Sequence, residues 1–335
     1  MILGKLKFNT KGYDPFIDFI KAYAILWVLV GHFLTHSNAI LYPIWGGYEV
    51  PLFLTVSCFH FFKKEKPRLN ISRIFTRVLF PFVIIQVLIV LLLYSWQNFT
   101  GLDKIVGYFF EHGCYGQGDY FPLVYVQIAL LLPLSWRCMS KIKDERIIIV
   151  AYIAICELLE IISSIAQLPD SLYRILAFRY VFLIYFGWKW ATRGIIMDLK
   201  TTLLSLISLF SVVYFVWFSG NTEPWFFDTV WKYHRWPCYF YMAELGVFLL
   251  NILWRVLHRF SIVNSIISFL SKNSYEIFLA QMIAYVLFPM ELFSSFPIPA
   301  IGRFITAFVF SILFGQVLHI FFSWVFGIQI RTTTN

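Results

Sequence analysis

Phe80-Pro-Phe-Val-Ile-Ile-Gln-Val-Leu-Ile-Val-Leu-Leu-Leu-Tyr-Ser-Trp96 runs from end to end without a charged side chain. A helix needs roughly 20 apolar residues to cross a hydrocarbon core, and this stretch with its apolar neighbours has that length. Residues 147–165 and 301–326 are comparable apolar runs with few charges. The composition agrees: of 335 residues 60% are hydrophobic and only 13% charged, whereas a soluble domain carries about a quarter. Phe (38) and Trp (12) are abundant, as suits lipid-facing and interfacial positions.

Working outward from that run gives ten spans, at about 16–37, 45–62, 78–97, 120–136, 147–166, 172–190, 201–219, 237–254, 273–293 and 300–327. The fold class is therefore an all-α polytopic integral membrane protein with about ten transmembrane helices, in a single domain over 1–335. Most of the 27 Lys and Arg residues fall in segments 1–15, 63–77, 137–146, 189–200, 255–272 and 328–335, while the alternate loops hold Lys104, Lys232 and Arg235. That sorting predicts both termini on the cytoplasmic side. It also accounts for the net charge of +9 without a nucleic-acid partner, because the positive residues sit in short clusters between apolar runs. No small-residue cleavage site follows the first run, so it is expected to stay in the membrane. Residues 256–271 read as an amphipathic helix on the cytoplasmic surface.

The five cysteines show no close paired spacing, so neither a metal site nor a redox pair is expected. Cys114 and Cys238 both fall in expected external loops, where a disulfide between them is one reading. Two external stretches exceed minimal connectors. Residues 98–119 carry Asp103, Glu111 and Asp119 with Gly113, Gly116 and Gly118; residues 220–236 carry Glu223, Asp228, His234 and several aromatics. Rings and carboxylates together suit carbohydrate, and an interfacial aromatic belt with solvated acids is the competing reading.

Ionisable side chains inside a membrane are costly and point to function. The first span offers Asp18, Lys21 and His32 in an otherwise apolar helix. At 100° per residue, Lys21 and His32 return to one helix face roughly 16 Å apart along the axis, with Asp18 a turn below Lys21. Histidine is the side chain best suited to move a proton near neutral pH; a packing histidine and a snorkelling lysine are the plainer alternatives. Residues 63–77 hold Lys63, Lys64, Lys66, Arg68, Arg73 and Arg77 against Glu65. Such a basic lip suits the phosphates of a polyanion such as coenzyme A, with Arg73 and Arg77 favoured because they stand where the third span begins. Topology and anionic lipid headgroups compete with that reading.

These residues resemble the membrane acyltransferase-3 family. Asp18–His32 is similar to its opening signature of Arg or Lys, ten residues, then His. Val50-Pro-Leu-Phe-Leu-Thr-Val-Ser57 resembles its second-span stretch. Arg73-Ile-Phe-Thr-Arg77-Val-Leu-Phe-Pro81 resembles its basic loop, and Tyr120-Phe-Pro-Leu-Val-Tyr125-Val-Gln127 its fourth-span motif. Residues 179–187 and Ser274-Tyr-Glu-Ile-Phe-Leu-Ala-Gln281 match its sixth- and ninth-span signatures. Cys58 stands where Gly usually follows the serine, Glu49 where many relatives have His, and Gln281 where a ninth-span His is common.

The resemblance implies acyl-CoA, acetyl-CoA first, as co-substrate, with no bound cofactor or metal. It implies a glycan or lipid-linked sugar hydroxyl as acceptor, surrounding membrane lipids, and a bacterial cytoplasmic membrane as location. His32 is then the general base and Glu49 its candidate orienting carboxylate, with transfer direct or through an acyl-enzyme. Asp18, Lys21, Arg73, Arg77, Tyr125, Gln127 and Gln281 line the donor and acceptor path. Arg174 and Arg179 hold the thioester oxyanion or an acidic glycan, unless they anchor lipid phosphate. A different class of protein, a transporter or flippase for a lipid-linked sugar or other anion, would use Glu157, Glu160 and Glu244 as a proton relay. A purely structural partner in glycan synthesis would need no single polar residue.

Overall fold

A computed structural model of the chain describes residues 2–33, 44, 48–97, 114, 116–217, 234–297 and 299–326. The helices are α1 (Pro15–Phe33), α2 (Glu49–Phe62), α3 (Phe80–Gln97), α4 (Tyr120–Met139), α5 (Glu145–Ile165), α6 (Asp170–Ile175), α7 (Leu183–Thr192), α8 (Leu199–Trp217), α9 (Val247–Leu257), α10 (Ser261–Lys272), α11 (Ser274–Leu287) and α12 (Pro299–Val325). Ile71–Ile74 and a π-helical stretch, Phe75–Leu79, lead into α3; Trp236–Phe240 and a π-helical Tyr241–Gly246 lead into α9. Six of these helical segments are long and apolar enough to cross a membrane, and Glu49–Phe62, Leu199–Phe215 and Ser274–Leu287 are shorter apolar helices. The protein is a multi-pass membrane protein.

The long helices differ in what they face. The apolar window of α1 is 56% buried, those of α5 and α12 only 22%. Ile147, Val150, Leu158 and Ile161 on α5 and Ile305, Val309, Leu313 and Val317 on α12 are exposed, which in this setting means turned toward acyl chains rather than water. α1 instead packs against α2, α10, α11 and α12. The short helices α2 and α11 have 14 residues each, about 21 Å of rise against a hydrocarbon core near 30 Å. Both are packed within the bundle, α2 against α1 and α7 and α11 against α1, α3 and α12.

The sixth expected span, 172–190, is a correction: it is not one helix. α6 ends at Leu176 in extended backbone, a 3₁₀ turn covers Phe178–Tyr180, and α7 begins at Leu183. A break at membrane depth exposes main-chain groups that must find partners. Gln127 on α4 supplies them. Its Nε2 donates to Ile175 O at 2.7 Å, and its Oε1 accepts from Ala177 N at 3.1 Å.

A small antiparallel sheet, Ile2–Leu6 (β1) with Ile195–Asp198 (β2), joins the N-terminal segment to the loop after α7. At the same end, Lys63 Nζ donates to Gly12 O at 3.2 Å, Arg193 pairs with Glu145 at 2.6 Å, and Ser271 Oγ donates to Asp18 Oδ1 at 2.6 Å. Segments 1–15, 63–77, 137–146, 189–200 and 255–272 thus meet at one end of the bundle, as a common side requires. All five cysteines are free, so Cys114 and Cys238 form no disulfide. Burial pushes the Cys114 thiol up to about 11, against the lowering pull of Arg174.

α7 lies against α2 so closely that a Cβ on Gly187 would sit 2.2 Å from Cys58 Cβ and 2.8 Å from Phe59 N. Glycine at 187 is what admits Cys58 after the serine of the second-span motif. Gly187→Ala must push two buried helices apart, an overpacking that typically costs about 1–3 kcal/mol. Its expected result is a lower unfolding midpoint of the detergent-solubilised protein, and an unchanged midpoint refutes the close crossing.

Candidate active site

α1 runs unbroken from Pro15 to Phe33, so the rise from Lys21 to His32 is that of a straight helix, roughly 16 Å. At its lower end Asp18 collects three partners. Ser271 Oγ and Tyr13 OH donate to its two oxygens at 2.6 and 2.5 Å, and Lys21 Nζ stands 4.0 Å away. Glu276 on α11 acts on both Lys21 and Arg77 electrostatically and pairs with His319 at 3.3 Å. Glu276 was not legible as a site residue: nothing in a helical Ser-Tyr-Glu run announces which helices it will face.

His32 lies at the other end of α1, half-buried. Its Nδ1 is 2.8 Å from Gln281 Oε1, and Gln281 Nε2 donates to Gln117 O at 2.7 Å. Gln281 itself is fully buried. The carbonyl of Gln117 is aimed by the two glycines around it, with φ +97° at Gly116 and +82° at Gly118, conformations that side-chain-bearing residues rarely adopt. Gly118 also wedges between two neighbours: a Cβ there would lie 2.8 Å from Phe278 Cε2 and 3.5 Å from His32 Cε1. The partner of His32 Nδ1 is thus Gln281 and not Glu49, the carboxylate expected to orient it. Glu49 is buried.

A run of rings starts beside the basic lip, and one of them, Phe278, borders Gly118, which also borders His32. Tyr275 OH donates to Val78 O at 2.7 Å, one residue beyond Arg77. Tyr275 stacks on Phe278 at 6.2 Å between centroids, Phe278 meets Phe121 at 5.2 Å, and Phe121 meets Tyr125 at 6.3 Å. Tyr125 stands half-buried at the end of this run, and the Ser57 hydroxyl donates to Phe53 O at 2.9 Å. Asn70 caps the helix that carries the arginines, accepting from Arg73 N at 2.8 Å, and both guanidinium groups are exposed. The structure therefore brings Tyr125 beside the path, while the amide of Gln127 is taken up by main chain.

Arg174 and Arg179 sit with a group of tyrosines. Arg174 pairs with Asp119, one residue from Gly118, and lies 5.6 Å over the Tyr120 ring. Arg179 lies 5.0 Å over Tyr180 and 5.4 Å over Tyr120, and Tyr180 OH meets His234 Nδ1 at 3.0 Å. Asp103, Glu111, Glu223 and Asp228, the other loop acids read as carbohydrate partners, lie outside the described residues. Each acid of a proton relay has a structural partner: Glu157 accepts from Trp236 at 2.5 Å, Glu160 pairs with Arg235 at 3.0 Å and Glu244 with Lys189. Among the described residues no cluster of three His, Cys, Asp or Glu side chains converges as a metal site.

No curated protein and no solved structure matches the chain. The acyltransferase-3 family, described as an acyltransferase domain, matches it over residues 14–320, a range that contains α1 with its Asp18–His32 stripe, the basic lip and the turn under Gln281. The chain belongs to that family, and it is a membrane acyltransferase.

Proposed function

We propose that this acyltransferase moves an acyl group, acetyl first, from acyl-CoA to a hydroxyl of a cell-surface or lipid-linked glycan, in the cytoplasmic membrane of a bacterium. The observation that carries the reading is a histidine near the end of α1, held by Gln281, with a run of rings from beside Arg77 coming up to the same Gly118. The CoA phosphates rest on the two arginines from the cytoplasmic side, and the pantetheine arm follows Tyr275, Tyr125, Phe121 and Phe278 toward His32. The imidazole takes the proton of the acceptor hydroxyl as its oxygen attacks the thioester carbonyl. Collapse of the tetrahedral intermediate breaks the C–S bond, and the imidazolium returns the proton to the departing thiolate. Arg174 and Arg179, with the tyrosines around them, receive the acceptor on the opposite side, where a positive group suits an anionic sugar or lipid-linked phosphate.

The same protein with and without the gene gives the test. Surface glycan of the intact cell is expected to lose a mass increment of one acyl group on deletion, and to regain it on complementation; an unchanged glycan mass sinks the acceptor assignment. Sidedness is checked separately. Reporter fusions after Lys66, Lys141 and Arg193 are expected in the cytoplasm and fusions near Gly116 and Asn221 outside, and an external reporter at Lys66 removes the donor lip from the side where acyl-CoA is made.

A further inference from the structure

The hydrogen bonds around Gln281 form a chain whose polarity can be read from one end. Gln117 O is a main-chain carbonyl and can only accept, so the group facing it at 2.7 Å is the amide NH₂ of Gln281. The other half of that amide, Oε1, then faces His32 Nδ1 at 2.8 Å, and an amide oxygen can only accept. The proton between them belongs to His32. Neutral imidazole carries one N–H, so a proton on Nδ1 leaves Nε2 bare with its lone pair in the ring plane.

We propose that Gln281 is a positioning residue, which through the Gln117 carbonyl locks His32 in the tautomer protonated on Nδ1 and so presents Nε2 as the base. The proposal rests on the reading of His32 as general base. Both supports are rigid for physical reasons. Gln281 is fully buried on α11 among Ala280, Met282 and Ile277, where an amide without partners is costly. Gln117 lies between two glycines with positive φ, so its carbonyl direction is set by backbone that other residues would not adopt. Beyond the turn, Asp119 pairs with Arg174.

The arrangement makes a chemical demand on position 281: one donor toward Gln117 O and one acceptor toward His32, at the reach of a glutamine. Neutral histidine meets that demand, since it too carries one N–H and one bare nitrogen. Leucine supplies neither group. Methionine keeps the length of glutamine and again supplies neither.

Three variants in the full-length protein, reconstituted in lipid nanodiscs, separate these cases. Gln281→Leu is expected to lower kcat by about 10–100-fold, the size of effect that the hydrogen-bond partners of metal-bound histidines show, with the KM for acetyl-CoA unchanged. Gln281→Met is expected to lose kcat as well, and serves where the leucine variant fails to accumulate. Gln281→His is expected to stay within a few-fold of the parent. Nitrogen-15 NMR of labelled histidine, assigned by its loss in His32→Ala, reads the tautomer directly: Nδ1–H in the parent and a mixture in Gln281→Leu. A parent spectrum with the proton on Nε2, a full-rate Gln281→Leu, or a Gln281→His as slow as the leucine variant overturns the proposal. An active His32→Ala would instead defeat the general-base reading, whatever the tautomer spectrum records.

Discussion

His32→Ala is expected to abolish acyl transfer while the protein still inserts and accumulates. A general base in the transition state typically contributes about 10²–10⁴-fold in rate, and that is the loss predicted in kcat for transfer from acetyl-CoA. The substitution is small in structural terms. His32 lies one residue from the end of a helix whose burial comes from Ile20, Ala24, Ile25, Val28 and Leu29. Yield and unfolding midpoint should therefore stay near those of the parent. Loss of the imidazole also leaves Gln281 Oε1 without its donor, which costs on the order of 1–3 kcal/mol when buried, so a modest midpoint shift is compatible and a collapse is not. The deciding measurement is initial rate against acetyl-CoA concentration for protein of equal abundance. A stable His32→Ala enzyme working at parental rate removes the imidazole from the chemistry.

Arg73→Ala combined with Arg77→Ala is expected to raise the acetyl-CoA concentration needed for half-maximal rate by about tenfold or more, leaving acceptor-side events intact. Coenzyme A carries several phosphate charges, and a guanidinium presents a fixed planar fork that suits them. Each tenfold corresponds to about 1.4 kcal/mol of binding, so two charge-assisted contacts readily supply the change. The control is a lysine from the same lip. Lys63 is unsuitable, because its ammonium donates to Gly12 O and lies 5.6 Å over the Phe59 ring. Lys66 is exposed, and Lys66→Ala removes one charge from the same segment while its solvated ammonium binds weakly. Equal and small effects of the arginine pair and the lysine would make the lip an orientation signal only.

What was legible follows from what a sequence encodes locally. Apolar runs at bilayer length gave the helices, and the alternation of Lys- and Arg-rich loops grouped five segments that do meet at one end of the bundle. Asp18, Lys21 and His32 were readable as one stripe because a single helix joins them, and helical geometry needs no tertiary information. Residues 172–190 were the exception. Their hydropathy is that of a span, yet the backbone breaks after Ile175, since Gln127 on another helix satisfies the groups that the break frees.

By itself, then, the sequence determined a multi-pass helical membrane protein, its family, and a histidine near the end of its first helix. Only the tertiary structure decided which side chain holds that residue. Gln281 lies 249 positions away from His32, and Gly187 proved to be the space into which Cys58 fits. The reason is geometric. A helix's residue pattern fixes which of its faces is apolar, but the partner met across that face depends on the rotation, depth and crossing of two helices, and no short stretch of either one carries those three quantities.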